Sequence, residues 1–424
     1  MKIALVHSFY ASANPSGENL VVRAQRDALR RAGHQAHLIA VHTDDLAGHP
    51  GYPVRTALTV ATGFGRNPRE DLHRLDPDLV HVHTLFPNFG DRWVRHWAGP
   101  LVCTEHNVRP VCAAGTFTRD GRPCTDCLTA GNPLPALRHR CYRGSLVATG
   151  ALAWAQRVPV PRRRLLARAD AVIVPAERSR ALWAGTGLPA ERLTVLPHFV
   201  TGPDTPPDVA GPREGFVWVG RLSPEKGLPD LLRVWPDTLP LTVLGDGPLR
   251  AECARIAPAS VRFVGAVAHR DVLTWLSRAR ALIVTTACME TFGLVQAEAA
   301  ACGTPVVAVD GSTVADAVRE HGTGEVVDAT GATSGGTSDG MVGGTVGGRS
   351  GSTIGGALAA VPDAAQRVAA HGAELRAHCR DVYTREYTEA VWVRRAEARY
   401  RAVLDGDMTA DAVHPSLAGT RRPE

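Results

Sequence analysis

Lysine is nearly absent from this chain: Lys2 and Lys226 are the only two among 47 basic residues, and all the others are arginine. The basic residues are scattered without a long run, so the net charge of +5 points to no polyanionic partner and nucleic acid is not expected. The densest cluster, Arg162, Arg163 and Arg164, reads as a solvated helix face. Long apolar runs are also lacking. The opening Met-Lys-Ile-Ala-Leu-Val-His-Ser is too short for a signal peptide, and no stretch reaches the roughly 20 apolar residues of a membrane span. A cytoplasmic chain without an integral membrane segment is the expectation. The nine cysteines, an odd number, argue against a disulfide framework and leave reduced thiols or a metal site. Neither half opens with Gly-x-Gly-x-x-Gly, which counts against a dinucleotide oxidoreductase. No credible central Asp-x-Asp is present either, since Asp405-Gly406-Asp407 falls in what reads as a tail, so no metal cofactor is expected for catalysis.

What is present is enough for two cores. A chain of 424 residues exceeds what one core usually supports, and 44% hydrophobic with 21% charged residues is an ordinary globular composition. Short β-branched runs alternate with helical patterns. Ile3–His7, His37–Val41, Leu79–His83, Pro100–Thr104, Ala169–Pro175 and Leu193–Leu196 form one series. Gly215–Gly220, Leu241–Gly245, Val261–Gly265, Ala281–Val284 and Pro305–Val309 form another. Such alternation predicts parallel sheets with helices on both faces, an α/β chain with two Rossmann-like domains. The domains are expected at 1–197 and 215–380, joined by the proline-rich linker 198–214. A Gly/Ser/Thr tract at 330–354 is too poor in apolar residues to order and reads as a flexible insertion. A closing helix over 381–404 and a tail over 405–424 complete the plan.

Two motifs carry chemistry. Gly220-Arg221-Leu222-Ser223-Pro224-Glu225-Lys226-Gly227 follows a strand directly, placing two cations at the carboxyl end of a parallel sheet, where ligands of open α/β sheets bind. A forked guanidinium and a point-charge ammonium together suit the phosphates of a nucleotide diphosphate. In a chain that otherwise uses arginine, the lysine here is a signal against an ordinary solvated loop. The second motif is Glu290-Thr291-Phe292-Gly293-Leu294-Val295-Gln296-Ala297-Glu298, between a strand and an alanine-rich helix. Gly293, Leu294 and Val295 would offer the unpaired N–H groups of a helix start, an anion site. Glu290 and Glu298 would accept hydrogen bonds from sugar and ribose hydroxyls, with Glu298 about two turns into the helix. Read blandly, they are two helix-favouring glutamates.

These segments, with the Ala-x-Gly-x-Pro-Val-Val that follows the glutamates, resemble family 4 of the retaining glycosyltransferases, which have the GT-B fold: two Rossmann-like domains facing across a cleft. The resemblance runs from residue 1 to about 325 and again through the closing helix. It implies that Arg221 and Lys226 neutralise a leaving diphosphate, that Glu290 holds the transferred sugar, that Glu298 binds the ribose, and that Val264 meets the nucleobase. In the first domain, Pro15-Ser16-Gly17-Glu18-Asn19 stands where the family has its glycine loop, with Gly17 alone of the usual pair. Thr104-Glu105-His106-Asn107 resembles the family's first-domain histidine, so His106 would face the donor sugar. His81 and His83 alternate on a strand and read as packing or hydrogen-bonded core groups. After Val309 the family's Gly-Gly-x-x-Glu is replaced by Asp310-Gly311-Ser312-Thr313-Val314, which puts that loop's contacts in doubt.

The resemblance implies a UDP-sugar donor and a small-molecule acceptor. Less specifically, His7-Ser8-Phe9-Tyr10 with the 15–19 segment resembles enzymes that move N-acetylglucosamine from UDP-N-acetylglucosamine to the aminocyclitol 2-deoxystreptamine in aminoglycoside antibiotic biosynthesis. Polysaccharide and lipid-linked sugar transferases are the alternative, and a UDP-sugar 2-epimerase is the alternative from another class. Finally, Cys112, Cys124, Cys127 and Cys141, in a loop over 103–141, have the spacing of a zinc-ribbon-like site. Structural zinc and packed thiols both stay open.

Overall fold

The computed structural model describes residues 1–12, 17–205, 207–286, 289–328, 333–334 and 357–407. The expected insertion at 330–354 lies outside the described residues except for 333–334, and so does the tail beyond Asp407. The chain divides into two units. The first holds Met1–Gly115, Asp126–His198 and Glu389–Glu424, and the second holds Thr116–Thr125 and Phe199–Thr388.

In the first unit β1 (Lys2–Phe9), β2 (Gln35–His42), β3 (Leu79–Val82), β4 (Leu101–Thr104), β7 (Ala171–Val174) and β8 (Leu193–Val195) form one parallel sheet in the order β2-β1-β3-β4-β7-β8. The central strands β3, β4 and β7 are short and buried on both faces, which is why they read as near-continuous apolar runs. Alternate residues such as Ala4, Val6, Val80, Val82, Val172 and Val174 share one face with Trp93 and Trp183. A hairpin of β5 (Thr118–Arg119) and β6 (Arg122–Pro123) interrupts the chain between β4 and β7 and is counted with the second unit. Asp120 and Gly121 both have positive φ, as a tight two-residue hairpin turn requires.

In the second unit β9 (Phe216–Val219), β10 (Leu241–Leu244), β11 (Val261–Gly265), β12 (Ala281–Val284), β13 (Val306–Val309), β14 (Gly324–Val327) and β15 (Thr333–Ser334) run in the order β11-β10-β9-β12-β13-β14-β15. All pairs are parallel except β14 with β15. Phe216, Trp218, Ile283, Val307 and Val327 pack on one face with helix Val361–Ala370. Val217, Leu282, Val306 and Val326 pack on the other with helices His269–Arg278 and Thr313–His321. The period-2 alternation of a sheet covered on both sides thus divides two cores.

The expected closing helix over 381–404 is instead broken. Helix Gly372–Val382 passes into a π-helical turn, Tyr383–Tyr387, and Thr388 is extended before helix Glu389–Leu404 begins. The two tyrosines explain the break. Tyr383 and Tyr387 pack with Val200, Phe292, Ala297 and Ala300 in the second unit, and Tyr383 Oη donates to the Val200 carbonyl at 3.2 Å. Beyond Thr388 the helix belongs to the first unit, where Tyr400 is buried against His81. Among the described residues no helix is long and apolar enough to cross a membrane.

Candidate active site

The second sheet reverses its direction of winding at β9 and β12, adjacent strands whose connections run to opposite sides. Ligands of open parallel sheets bind outside the carboxyl ends at such a point. Both motifs lie there. After β9 the chain makes a tight turn, Pro224–Lys226, closed by Gly227 at φ 70°. A β-carbon on Gly227 would stand 2.7 Å from the Thr285 carbonyl oxygen, so glycine lets this turn press onto the end of β12. Thr285 pins it: its hydroxyl donates to the Lys226 carbonyl at 2.6 Å and accepts from the Trp218 indole at 3.1 Å.

The Lys226 ammonium is ion-paired with a Glu290 oxygen, and both side chains are half-buried. Arg221 is more exposed and bonds Glu225 at 3.1 Å, while Ser223 donates to the same carboxylate at 2.6 Å. Burial pushes the Glu225 carboxyl up, but the Ser223 hydrogen bond and the Arg221 charge outweigh it and hold it below its ordinary value.

Gly293, at φ 77°, caps helix Leu294–Ala301. Any β-carbon there would meet Val314 Cγ2 at 2.4 Å and the Glu290 carboxylate at 3.3 Å, so the helix start is packed directly against Glu290. The leading amides of this helix, as at any helix start, have no carbonyl partner within it. Glu298 lies little more than one turn into the helix, and not the expected two, because the helix begins only at Leu294. Its Oε1 is bonded by His269 Nε2 at 2.9 Å, and this bond raises the His269 pKa against the opposing effect of burial. Val264 is the penultimate residue of β11 and is half-buried beside the second core, at the far edge of the sheet.

Sequence reasoning missed His269, Thr285 and Thr313. The Thr313 hydroxyl donates to the Glu290 carbonyl, and Ser312 Oγ caps helix Thr313–His321 by accepting from Ala315 N at 3.0 Å. The segment that departs from the family pattern therefore holds the Glu290 backbone. Ser-Thr ahead of an apolar helix was the available signal. Nothing in the spacing of His269 announced its partner.

In the first unit Gly17 opens helix Gly17–Arg31, while residues 15 and 16 lie outside the described residues. Glu18 is bonded by the Thr84 hydroxyl and by Asn107 Nδ2 at 3.4 Å, and burial pushes its carboxyl up to about 7. Glu105 is pushed up to about 8, again by burial. His106, 9% exposed, is one of five buried histidines at this end of the sheet, with His7, His81, His83 and His198. His83 Nδ1 lies 2.9 Å from His106 Nε2, and the His106 and His198 rings stack at 5.2 Å. His81 spans the Tyr400 and Thr104 hydroxyls, each at 2.7 Å. Burial holds all five rings below the ordinary histidine value, His7 and His198 at about 4 and His81 at about 3.

The four loop cysteines, Cys112, Cys124, Cys127 and Cys141, are each half-buried. Cys124 sits in the hairpin segment counted with the second unit, whereas Cys127 and Cys141 pack by Ala113, Ala136 and Leu152 in the first. Among the described residues no three His, Cys, Asp or Glu side chains are grouped to hold a metal ion.

Two doubly wound sheets, with paired cations and paired acids at the carboxyl edge of the second, define a chain of the GT-B class. Residues 15–201 match the family model described as Glycosyltransferase Family 4, and residues 213–334 match that described as Glycosyl transferases group 1. Both models describe glycosyltransferases, and each matches one part of the chain. It is 36% identical over 156 residues to a glycogen synthase of Mycobacterium tuberculosis, covering 33% of this chain and 36% of that one. It is 32% identical over 231 residues to a D-inositol 3-phosphate glycosyltransferase of Acidothermus cellulolyticus, covering 45% of this chain and 51% of that one. The chain therefore spans only about a third to a half of the length of these curated relatives. Among solved structures, Anabaena HepE in complex with UDP-glucose superposes with a TM-score of 0.56 at 16% identity, over 96% of this chain and 100% of that one.

Proposed function

We propose that the chain is a retaining hexosyltransferase that takes its sugar from a UDP-sugar, with UDP-N-acetylglucosamine as donor and a small aminocyclitol such as 2-deoxystreptamine as acceptor. The observation that carries the reading is the Lys226–Glu290 pair set against the helix start at Gly293, at the switch point of the second sheet. A cation, an acid and free helix amides in one place match a diphosphate next to a sugar ring. Arg221 and Lys226 would meet the charge growing on the departing diphosphate, together with the amides at Leu294 and Val295, and such electrostatic stabilisation is the largest single contribution to many enzymatic rates. Glu290 would hold hydroxyls of the transferred sugar and Glu298 those of the ribose, with Val264 at the base.

In the step itself, the bond from the anomeric carbon to the phosphate oxygen breaks while a bond to the acceptor oxygen forms on the same face. The acceptor proton passes to the departing phosphate. Glu290 need not become a covalent nucleophile. HepE, which binds UDP-glucose, supports the UDP part of the reading. The acids Glu18 and Glu105 beside His106 and Asn107 support a cationic acceptor, since Glu18, with a pKa of about 7, would ionise next to an amine.

The test is a screen of the purified chain with UDP-N-acetylglucosamine or UDP-glucose against aminocyclitols and lipid-linked acceptors, read by mass. A glycosylated aminocyclitol with UDP supports the proposal. A product on lipid-linked acceptors alone moves the acceptor to the polysaccharide class, and isomerised UDP-sugar without acceptor makes the chain an epimerase.

A further inference from the structure

Of the five buried histidines of the first unit, His83 and His106 constrain each other's protons. His83 has one ring nitrogen, Nδ1, 2.9 Å from His106 Nε2, and its other nitrogen, Nε2, is buried with no hydrogen-bond partner. Both rings are neutral, so each carries one proton on one of its two nitrogens. Only two arrangements make the 2.9 Å contact a hydrogen bond. In one, His83 Nδ1–H donates to His106 Nε2, and the orphaned His83 Nε2 is a bare lone pair. In the other, His106 Nε2–H donates to His83 Nδ1, and the only proton of His83 sits on Nε2 as a buried N–H with no acceptor.

Orphaned buried N–H groups are rarer in folded proteins than under-satisfied acceptors, so the first arrangement is favoured. His7 follows the same pattern. Its Nε2 donates to Asn19 Oδ1 at 3.0 Å, and the nitrogen left without a partner, Nδ1, is the unprotonated one. The neighbours hold the His83 ring in place: it stacks on His81 at 4.2 Å, and His81 is itself fixed by the Tyr400 and Thr104 hydroxyls.

We propose that His83 is a positioning residue that locks His106 in its Nδ1-protonated tautomer by donating its own Nδ1–H to His106 Nε2. The consequence is chemical. With Nε2 already accepting from His83, His106 cannot take a proton from an acceptor hydroxyl through that nitrogen, and toward a ligand it acts as an N–H donor through Nδ1. That His106 faces the donor sugar during transfer rests on the family resemblance and the reading of the chain as a glycosyltransferase, whereas its tautomer does not.

The experiment is a long-range 1H–15N correlation of the imidazoles in the full chain labelled with 15N only at histidine, with signals assigned by His83→Asn, His83→Leu and His106→Asn. The wild-type spectrum is expected to show His106 protonated at Nδ1 and accepting at Nε2. His106 protonated at Nε2 overturns the proposal. The His83→Asn variant places an amide donor where the His83 Nδ1 stood, so it is expected to keep the His106 tautomer and turnover within about threefold of wild type. The His83→Leu variant, which has no donor, is expected to release His106 to the Nε2-protonated form and to lower kcat at least tenfold with KM unchanged. Retention of the Nδ1-protonated form in a folded His83→Leu variant also overturns the proposal. If that variant does not fold, the wild-type spectrum decides alone. A wild-type spectrum as expected from a chain that transfers no sugar leaves His83 as the positioning residue and removes only the functional reading.

Discussion

Lys226→Ala separates a catalytic lysine from a structural one. In the free chain Lys226 pairs with Glu290, their side chains 27% and 19% exposed. Ion pairs with that much access to water contribute about 0–1 kcal/mol to stability, so the melting temperature of a unit of this size should fall by no more than about 4 °C. Turnover should respond far more strongly. A unit charge about 4 Å from a charge developing on the departing phosphate is worth about 4 kcal/mol at an effective dielectric of about 20. Removing one preorganised partner of that kind lowers turnover by about 10²–10³-fold. The assay is UDP release under saturating donor and acceptor, beside a thermal melt of the same preparation. Lys226→Arg should recover part of the loss, because it keeps the charge without the point geometry. Turnover of Lys226→Ala within about fivefold of wild type would refute the assignment, and so would a large drop in melting temperature that accounts for the loss.

Other expectations follow from the same geometry. Gly293→Ala must find room beside Val314 in a left-handed backbone, so it should destabilise the second unit by about 1–3 kcal/mol and raise KM for the donor, measured by urea unfolding and initial rates. Glu298→Gln keeps the shape and loses the charge opposite His269; donor KM should rise about tenfold with kcat little changed, and an unchanged KM would remove Glu298 from the donor site. For His81, held at about 3 in the folded chain, the sign is fixed by linkage: the unfolded ring binds a proton near pH 6.5 while the folded ring stays neutral, so stability is lost as pH falls. Any advantage of wild type over His81→Asn in urea unfolding should therefore shrink by about 1.4 kcal/mol between pH 7.5 and 5.5. With the four loop cysteines not grouped as metal ligands, a chelator should leave the melting temperature unchanged, and a fall would restore the zinc reading.

Most of the architecture was legible in the sequence because parallel strands buried on both faces leave apolar runs that need no neighbour to be recognised. Ala281–Val284 and Ala171–Val174 are of this kind. β14 was not seen, since Gly324 and Glu325 break its apolar run; Glu325 is tolerated there through its bond to Arg367 at 2.6 Å. The hairpin at Thr118–Pro123 had its turn signal in Asp120-Gly121, but its strands are too short to show a period. At the carboxyl edge of the second sheet, Arg221, Lys226, Glu290 and Glu298 stood out because charge next to a strand end is unusual. Their supports, Thr285, Thr313 and His269, are contacts between segments far apart in sequence, which spacing does not encode. His83 illustrates the limit best: alternation on a strand placed it in the core, and only its distance to His106 gave it a role.

The central claim is transfer of a sugar from a UDP donor with retention at the anomeric carbon. The most direct measurement is a proton NMR time course of the chain with UDP-N-acetylglucosamine and 2-deoxystreptamine. A new α-anomeric signal that grows in step with free UDP and is carried by the aminocyclitol is expected. A β-anomeric product would contradict the retaining mechanism, and an unchanged donor with every acceptor offered would contradict the claim itself.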